Sequence, residues 1–185
     1  VMLDKYNVKA EVSASLRVGT SRFTFPAGKS NILLNLGEGR TNETGAQLRK
    51  VNDREMEGMK LLGTFCYTAN QAVFPIYFVI RVNKTPEKSG YFKFHRPGYK
   101  WENDWNRDAG KYKIYTEYEK EIAGDDIGAY FTFNTNEDEQ IEVQIGVSFV
   151  SIDNARANLN SEQPNFNFDA VHANARKLWN DDLSK

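Results

Sequence analysis

Near the C-terminal end of the chain, the hydrophobic pattern changes its period within a single stretch, residues 138–159. In the first half of this stretch every second position is apolar: Ile141, Val143, Ile145, Val147 and Phe149. A period of two is typical of a strand with one face on a core and the other face near water. The pattern therefore predicts a half-buried strand.

A helix is predicted directly after this strand. Ile152, Ala155 and Leu159 recur at helical spacing, and Ser151 is placed as their N-cap. Asp153 lies in the first turn, where the helix dipole favours negative charge. A core strand thus runs into a helix, with β structure expected before this point and α structure after it.

A second helix is predicted from Asn167, its N-cap, to about Asp182. Phe166 and Val171 are placed for a hydrophobic staple at its start. The apolar stripe of this helix consists of Val171, Ala175, Leu178 and Trp179. Because a free-standing sheet unit has little use for such a stripe, we expect a further domain to pack against it.

The chain before residue 138 is rich in strand patterns. One strand is predicted over 8–18, with a turn at 19–21, and the strand over 127–133 is expected to form a hairpin with the one over 141–149. Residues 73–82 are apolar on both faces and should lie centrally, with Pro75 at a strand start, an edge or a bulge. Shorter strands are predicted at 22–25, 31–36, 47–51, 56–62, 64–68 and 112–118. Many short strands separated by turns predict a mainly β, antiparallel sandwich or barrel.

The bulk composition narrows the class of protein. The 185 residues suffice for one sizeable β domain, and 40% hydrophobic residues indicate a globular chain. The net charge of −1, from 24 basic and 25 acidic residues, argues against nucleic acid or an anionic membrane as the main partner. No apolar run approaches the ~20 residues of a membrane span. The single cysteine excludes an internal disulfide. The chain begins without a Met or a signal peptide and stops just after a helix pattern, so we expect a fragment of a longer polypeptide.

Several segments resemble one enzyme family. IGVSFVSIDNARANL (145–159) and NFDAVHANARKLWNDDLSK (167–185) resemble the end of the N-terminal domain of glycoside hydrolase family 92, the calcium-dependent α-mannosidases. GTFCYTANQAVFPIYFVIRVNK (63–84) and GDDIGAYFTF (124–133) are also similar to that family. The resemblance covers nearly the whole chain, and its most specific part is the strand-to-helix segment.

The resemblance implies a β-sandwich domain over 1–150, of the galactose-mutarotase-like supersandwich type, and a helical linker over 151–185. The linker would lead to an (α/α) barrel catalytic domain, with the site for an α-mannoside glycan in the cleft between the two. The family inverts configuration, using one carboxylic acid and one carboxylate base, and a calcium ion helps to hold the sugar. The carboxylates and the calcium ligands are expected mainly in the barrel, so we expect no hydrolysis of α-linked mannobiose by this chain alone.

The resemblance also implies a setting for the whole protein. The parent polypeptide would be secreted, periplasmic or at the cell surface, and it would act in N-glycan processing. The preferred mannosidic linkage and the oligomeric state are not implied by these residues.

The motif GTFCYTAN supplies the candidate substrate-binding residues. Phe65 and Cys66 match a family motif expected towards the domain interface, where they would line one wall of the sugar cleft, and Asn70 would offer a hydrogen bond. The simpler interpretation is a buried cysteine that packs as a small hydrophobe, which is the usual state of an unreactive cysteine. No His–Asp pair is legible near Cys66, which argues against a cysteine nucleophile.

Other polar and aromatic residues have simple structural interpretations. The aromatic residues of 91–105 could stack on a sugar ring, but interface or edge packing is favoured because amphipathic aromatics recur at interfaces of every kind; they are Tyr91, Tyr99, Trp101 and Trp105. Asp125 and Asp126 could be metal ligands, but adjacent carboxylates flanked by glycine are far more often a turn. His95 and His172 are isolated, and no zinc-binding spacing occurs.

Three functions remain open at the level of sequence: a domain of an α-mannosidase, a non-catalytic carbohydrate-binding β-sandwich, and a structural or interaction module. The mannosidase hypothesis predicts exposed apolar surface around Leu178 and Trp179 on the last helix. A free-standing carbohydrate-binding module predicts a polar helix surface and an aromatic platform elsewhere.

Overall fold

The computed structural model describes residues 1–37, 45–63, 73–94, 112–116 and 120–185. Within these residues the chain forms twelve strands followed by two helices, which confirms the predicted order of β before α. The strands are β1 (Met2–Leu3), β2 (Val8–Ala14), β3 (Val18–Phe25), β4 (Gly28–Asn35), β5 (Ala46–Asn52), β6 (Glu55–Leu62), β7 (Phe74–Val82), β8 (Lys88–Phe94), β9 (Tyr112–Thr116), β10 (Glu121–Gly124), β11 (Ile127–Thr135) and β12 (Glu139–Ser148). The helices are α1 (Ile152–Glu162) and α2 (Phe168–Leu183), and a short 3-10 turn, Asp4–Tyr6, joins β1 to β2.

The strands form two antiparallel sheets. The larger sheet has the order β1-β2-β3-β12-β7-β6-β5-β10, and the smaller has the order β4-β11-β8-β9. Side chains from both sheets meet in one buried hydrophobic cluster. The described chain is therefore an antiparallel β-sandwich with two C-terminal helices, as predicted.

The core lies between the inner faces of the two sheets. Ile127, Ala129, Phe131 and Phe133 of β11 are fully buried there, which confirms the face predicted for that strand. On the larger sheet Ile141 and the other inner-facing residues of β12 pack into the same cluster. As predicted, β7 lies in the interior of its sheet, between β12 and β6, with Pro75 at the second position of the strand.

The outer face of β12 differs from the prediction. It was expected to lie near water, but both helices pack on this side of the larger sheet and Gln144 is buried. Ala155 and Leu159 of α1 form a second apolar cluster with Val18 and Val79 of the sheet. The alternation along β12 correctly separates the two faces of the strand. It does not show that the chain after the strand folds back and covers the polar face.

Two connections also differ from the prediction. Residues 8–18 do not form one strand, because the chain turns at 15–17 with Leu16 exposed, and Gly19 lies inside β3. The strands β11 and β12 do not form a hairpin, because they belong to different sheets and the link between them crosses the sandwich. β12 ends at Ser148, so Phe149 is exposed rather than in the core.

Both predicted helix caps are confirmed. The Ser151 hydroxyl accepts a hydrogen bond from the Asn154 amide at 3.1 Å, and the Asn167 side chain accepts one from the Ala170 amide at 3.1 Å. Each bond satisfies one of the free amides of a first helical turn. The predicted strand over 64–68 lies outside the described residues.

Candidate functional site

The predicted substrate-binding residues Phe65, Cys66 and Asn70 lie outside the residues that the structure describes, and their role stays a prediction. The same holds for His95, Tyr99, Trp101 and Trp105.

The structure does describe Tyr91, a candidate for stacking on a sugar, and the pair Asp125 and Asp126, candidate metal ligands. Tyr91 is fully buried between the sheets, where its hydroxyl accepts a hydrogen bond from the Lys50 amide at 2.7 Å. Asp125 and Asp126 lie in the turn between β10 and β11, and Asp126 has the left-handed φ of 51° that tight turns use. Within the described ranges no group of three or more His, Cys, Asp or Glu side chains is placed to hold a metal ion.

The surface that sets this chain apart from a simple sandwich is the outer face of its larger sheet, where the two helices pack. Helix α2 is held at its first turn by Arg22 of β3. The Arg22 guanidinium donates to both carboxylate oxygens of Asp169 at 3.0 Å and to Glu11 at 3.0 and 3.2 Å, and it lies 4.5 Å from the centroid of the Phe168 ring. One arginine thus joins β2, β3 and the start of α2.

The carboxylates around this anchor differ in their electrostatics. The hydrogen bond from Arg22 lowers the pKa of Glu11 to about 2. Glu142 of β12 accepts a hydrogen bond from the Phe168 amide at 3.2 Å, but burial beneath the start of α2 raises its pKa. His172 stacks on the Phe168 ring, with centroids 6.1 Å apart. The first turn of α2 is therefore fixed by charged, polar and aromatic contacts together.

Helix α1 is held by a buried charge cluster. Glu55 and Glu57 of β6 are only 4% and 3% exposed. Arg156 of α1 bridges the two carboxylates, Arg81 donates to Glu55 at 2.8 Å, and Arg49 donates to Glu57 at 3.0 Å. Buried carboxylates are stable only when they are paired in this way.

The far end of α2 carries exposed apolar side chains. Val171 and Ala175 are half-buried, whereas Leu178 is 53% exposed and Trp179 is 67% exposed. These four residues continue one stripe at helical spacing. The stripe therefore starts on the sheet and goes on where the described residues no longer cover it, as the mannosidase hypothesis predicted for Leu178 and Trp179.

A second apolar feature lies on the opposite side of the sandwich. The outer face of the smaller sheet has an open concavity of about 470 Å³. The Phe92 ring lies against Gly128, so closely that a side-chain carbon at Gly128 would come within 2.2 Å of it. The concavity is lined by Asn31, Leu33, Asn35, Phe92, Tyr112, Ile114, Tyr130 and Thr132.

Sequence reasoning did not find the two charged anchors. Arg22 and Asp169 are 147 positions apart, and Arg156 and Glu55 are 101 positions apart. No pattern of neighbouring residues in the sequence connects these positions. Only the placement of the helices shows that these side chains are contacts between elements.

Comparisons with known proteins agree on one family. The family model described as the glycosyl hydrolase family 92 N-terminal domain matches residues 1–148. A comparison with curated protein sequences found no significant match. No helix among the described residues is long and apolar enough to cross a membrane.

Solved structures show the same fold. The family GH92 alpha-mannosidase BT3965 from Bacteroides thetaiotaomicron, also solved in complex with mannoimidazole, aligns with a TM-score of 0.77 and 24% identity over 100% of this chain. The family GH92 inverting mannosidase BT2199 from Bacteroides thetaiotaomicron VPI-5482 aligns with a TM-score of 0.71 and 17% identity over 98% of this chain. The chain spans 23% and 21% of the lengths of these two proteins.

The family match covers most of the chain, and the aligned structures share its sandwich and its helices. The chain belongs to glycosyl hydrolase family 92, as the N-terminal domain of that family.

Proposed function

We propose that this chain is the N-terminal domain of an exo-acting α-mannosidase and that it forms one wall of the cleft in which an α-mannoside is hydrolysed. The observation that carries the proposal is the family match over residues 1–148. The chain spans 23% of the length of a solved α-mannosidase of the family, so the catalytic groups are assigned to the rest of the polypeptide. The proposed reaction inverts the anomeric configuration, with one carboxylic acid protonating the leaving oxygen and one carboxylate activating water.

The role proposed for the described residues is to hold helix α2 in a position where the rest of the polypeptide can pack against it. Arg22 and Phe168 hold the start of the helix on the sheet, while Leu178 and Trp179 leave apolar surface at its far end. Exposed apolar stripes of this kind mark protein interfaces. The stripe supports a docking face for a helical domain that shares the cleft.

Other parts of the proposal concern the whole protein. Phe65, Cys66 and Asn70 are proposed as the residues of this chain that face the mannoside. Calcium is proposed for the rest of the polypeptide, as the resemblance to the family implies, and no step is assigned to it. We also propose a secreted, periplasmic or cell-surface protein that acts in N-glycan processing.

The test is the substitution Leu178→Glu in the complete polypeptide. A charge in the centre of an apolar interface leaves a carboxylate desolvated and unpaired. We expect at least a tenfold loss of mannose release from α-linked mannobiose. Asn180→Glu is the matched control, because it adds the same charge in the same helical turn on the side opposite the stripe, and we expect it to keep the activity.

Equal activity of Leu178→Glu and Asn180→Glu would contradict the docking role of α2. Turnover of α-linked mannobiose by residues 1–185 alone would contradict the placing of the catalytic groups elsewhere.

The runner-up function, a carbohydrate-binding module, is supported by the aromatic concavity around Phe92 and Tyr112. Tight binding of mannose to residues 1–185 in a calorimetric titration would favour it.

A further inference from the structure

The two sheets of the sandwich do not match in width. The larger sheet continues past the smaller one on the side of β2 and β1, within the part of the chain that the structure describes. Val8, Ala10 and Val12 point to the inner face of the larger sheet, yet Val12 is 73% exposed. Val8 is buried in the core, so this inner face is open to water only towards Val12, where no layer among the described residues covers it.

The smaller sheet ends at the same place. β4 is its outermost described strand and pairs only with β11 among the described strands. The Leu36 amide donates to the Ile127 carbonyl at 3.0 Å, so alternate residues of β4, Ile32 among them, make the hydrogen bonds to β11. The amides and carbonyls of Asn31 and Leu33 therefore point away from β11, towards the open side.

Between this edge and the larger sheet lies a groove of about 510 Å³. Its floor is apolar, with Val8, Phe23 and Phe25 from the larger sheet. Asn31 and Leu33 line its other side, although their side chains belong to the outer face of β4. Their presence in the lining fits a groove bounded by the backbone edge of the strand.

We propose that an extended strand from the rest of the same polypeptide occupies this groove and adds a strand to the smaller sheet, next to β4. A strand meets both requirements of the site at once: its backbone pairs with the edge groups of Asn31 and Leu33, and its alternate side chains cover Phe23 on the apolar floor. A helix would cover the apolar floor but could not pair with these backbone groups, because its own amides and carbonyls bond to each other.

The rest of the polypeptide is the source to which the proposal commits. The chain spans 23% of the length of the solved family member that it covers completely, so the relative carries ample chain beyond the matched part. The eight residues of β4 offer an edge of about 27 Å to such a strand. A strand of the same polypeptide also avoids the loss of freedom that a separate molecule would meet on binding.

The first experiment measures amide hydrogen exchange at single-residue resolution in the complete polypeptide and in residues 1–185. The Ile32 amide, bonded to β11, is the internal reference and should be protected in both. The Asn31 and Leu33 amides should be protected at least tenfold in the complete polypeptide relative to residues 1–185. Equal exchange of these two amides in both proteins would overturn the proposal.

Two other outcomes also overturn it. Protection in residues 1–185 that grows with concentration would assign the edge to a second copy of the chain. Protection there that is independent of concentration would assign the edge to another part of residues 1–185.

The second experiment compares Leu33→Pro with Leu33→Thr in the complete polypeptide. Proline at position 33 removes an amide that β11 does not use, so strand β4 tolerates it, whereas threonine keeps that amide. Both variants remove the same exposed leucine side chain. We expect Leu33→Pro to lower Tm relative to Leu33→Thr, because only the proline variant lacks the amide that pairs with the added strand, and to remove the tenfold protection of the Asn31 amide. Indistinguishable variants would overturn the proposal.

Discussion

Arg156 is the residue on which the seating of α1 depends. Its guanidinium bridges Glu55 and Glu57, and its side chain is only 28% exposed. Arg81 and Arg49 each pair with only one of these carboxylates. Loss of Arg156 would leave two buried charges that are only partly compensated.

We therefore expect Arg156→Met to lower the free energy of unfolding by about 2 to 3 kcal/mol, somewhat less than the loss of a partner in a fully buried pair because Arg156 is partly exposed. Denaturant unfolding of the wild type and the variant measures the change. Arg17→Met is the matched control: Arg17 also pairs with a helix α1 carboxylate, Glu162, at 2.7 Å, but it is 55% exposed. Its loss should cost less than about 1 kcal/mol. Equal costs would contradict the special role of the buried cluster.

For single residues, the sequence predicted those side-chain contacts that join near neighbours in the chain. The caps at Ser151 and Asn167 were predicted because each bond spans three residues. The bonds of Arg156 and Arg22 were not, because they exist only where a helix meets a distant strand. The proposed contacts of Phe65, Cys66 and Asn70 with a sugar are of the second kind, and they stay predictions.

Among the elements, α1 lies so close to β12 at Gly146 that a side chain there would force the helix to move. A side-chain carbon at Gly146 would lie 2.6 Å from the Ala155 carbonyl oxygen and 2.8 Å from the Leu159 Cβ. The helix backbone would have to move away from the strand to make room. Gly146 thus fixes the distance between α1 and the larger sheet.

We expect Gly146→Ala to destabilise the fold by about 1 to 3 kcal/mol, the usual cost of overpacking. The control is Gly19→Ala on the neighbouring strand β3, where nothing lies within 4 Å of the added carbon. Alanine in a strand is favoured over glycine by about 0.5 to 1 kcal/mol, so this variant should be neutral or more stable. Thermal unfolding of both variants checks the pair, and a stable Gly146→Ala would show that α1 does not sit where we describe it.

The elements were predicted best where the pattern is local. The change from strand to helix after residue 148 follows from the change of period between Ile145 and Ala155. The single strand over 8–18 was wrong because its alternation runs unbroken through Leu16, which the fold leaves exposed at a turn. The prediction of a water-facing side for β12 was wrong because the chain returns over this face, where the Asn165 carbonyl, between α1 and α2, accepts a hydrogen bond from the Gln144 side chain. A strand pattern contains no information about this return.

For the molecule as a whole, the shifted carboxylates determine how stability depends on pH. Hydrogen bonds from Arg22 lower the pKa of Glu11 to about 2, and those from Lys84 lower the pKa of Glu139. The pKa of Glu162 is also lowered: burial opposes this, but hydrogen bonds from Ser15 and Arg17 prevail. Burial raises the pKa of Glu142. A carboxyl with a lowered pKa stabilises the fold above its ordinary pKa of 4.5 and loses that contribution on acidification.

We therefore expect the free energy of unfolding to fall between pH 4.5 and about 2, the window set by Glu11. Glu11→Gln should flatten the profile in this window. Glu142→Gln should act with the opposite sign and above pH 4.5, because a carboxyl with a raised pKa stabilises the fold on acidification. Urea unfolding at a series of pH values measures all three proteins, and a Glu11→Gln profile parallel to that of the wild type would contradict the prediction.

The anchoring of α2 at one end has a mechanical consequence. Its sixteen residues extend about 24 Å from the first turn, which Arg22 and Phe168 hold. A tilt of about 5° at that pivot would displace Leu183 by about 2 Å at this helical rise. The contacts of Arg22 with the first turn therefore limit the tilt of α2, and with it the position of any part of the polypeptide that is joined to the C-terminal end of the helix.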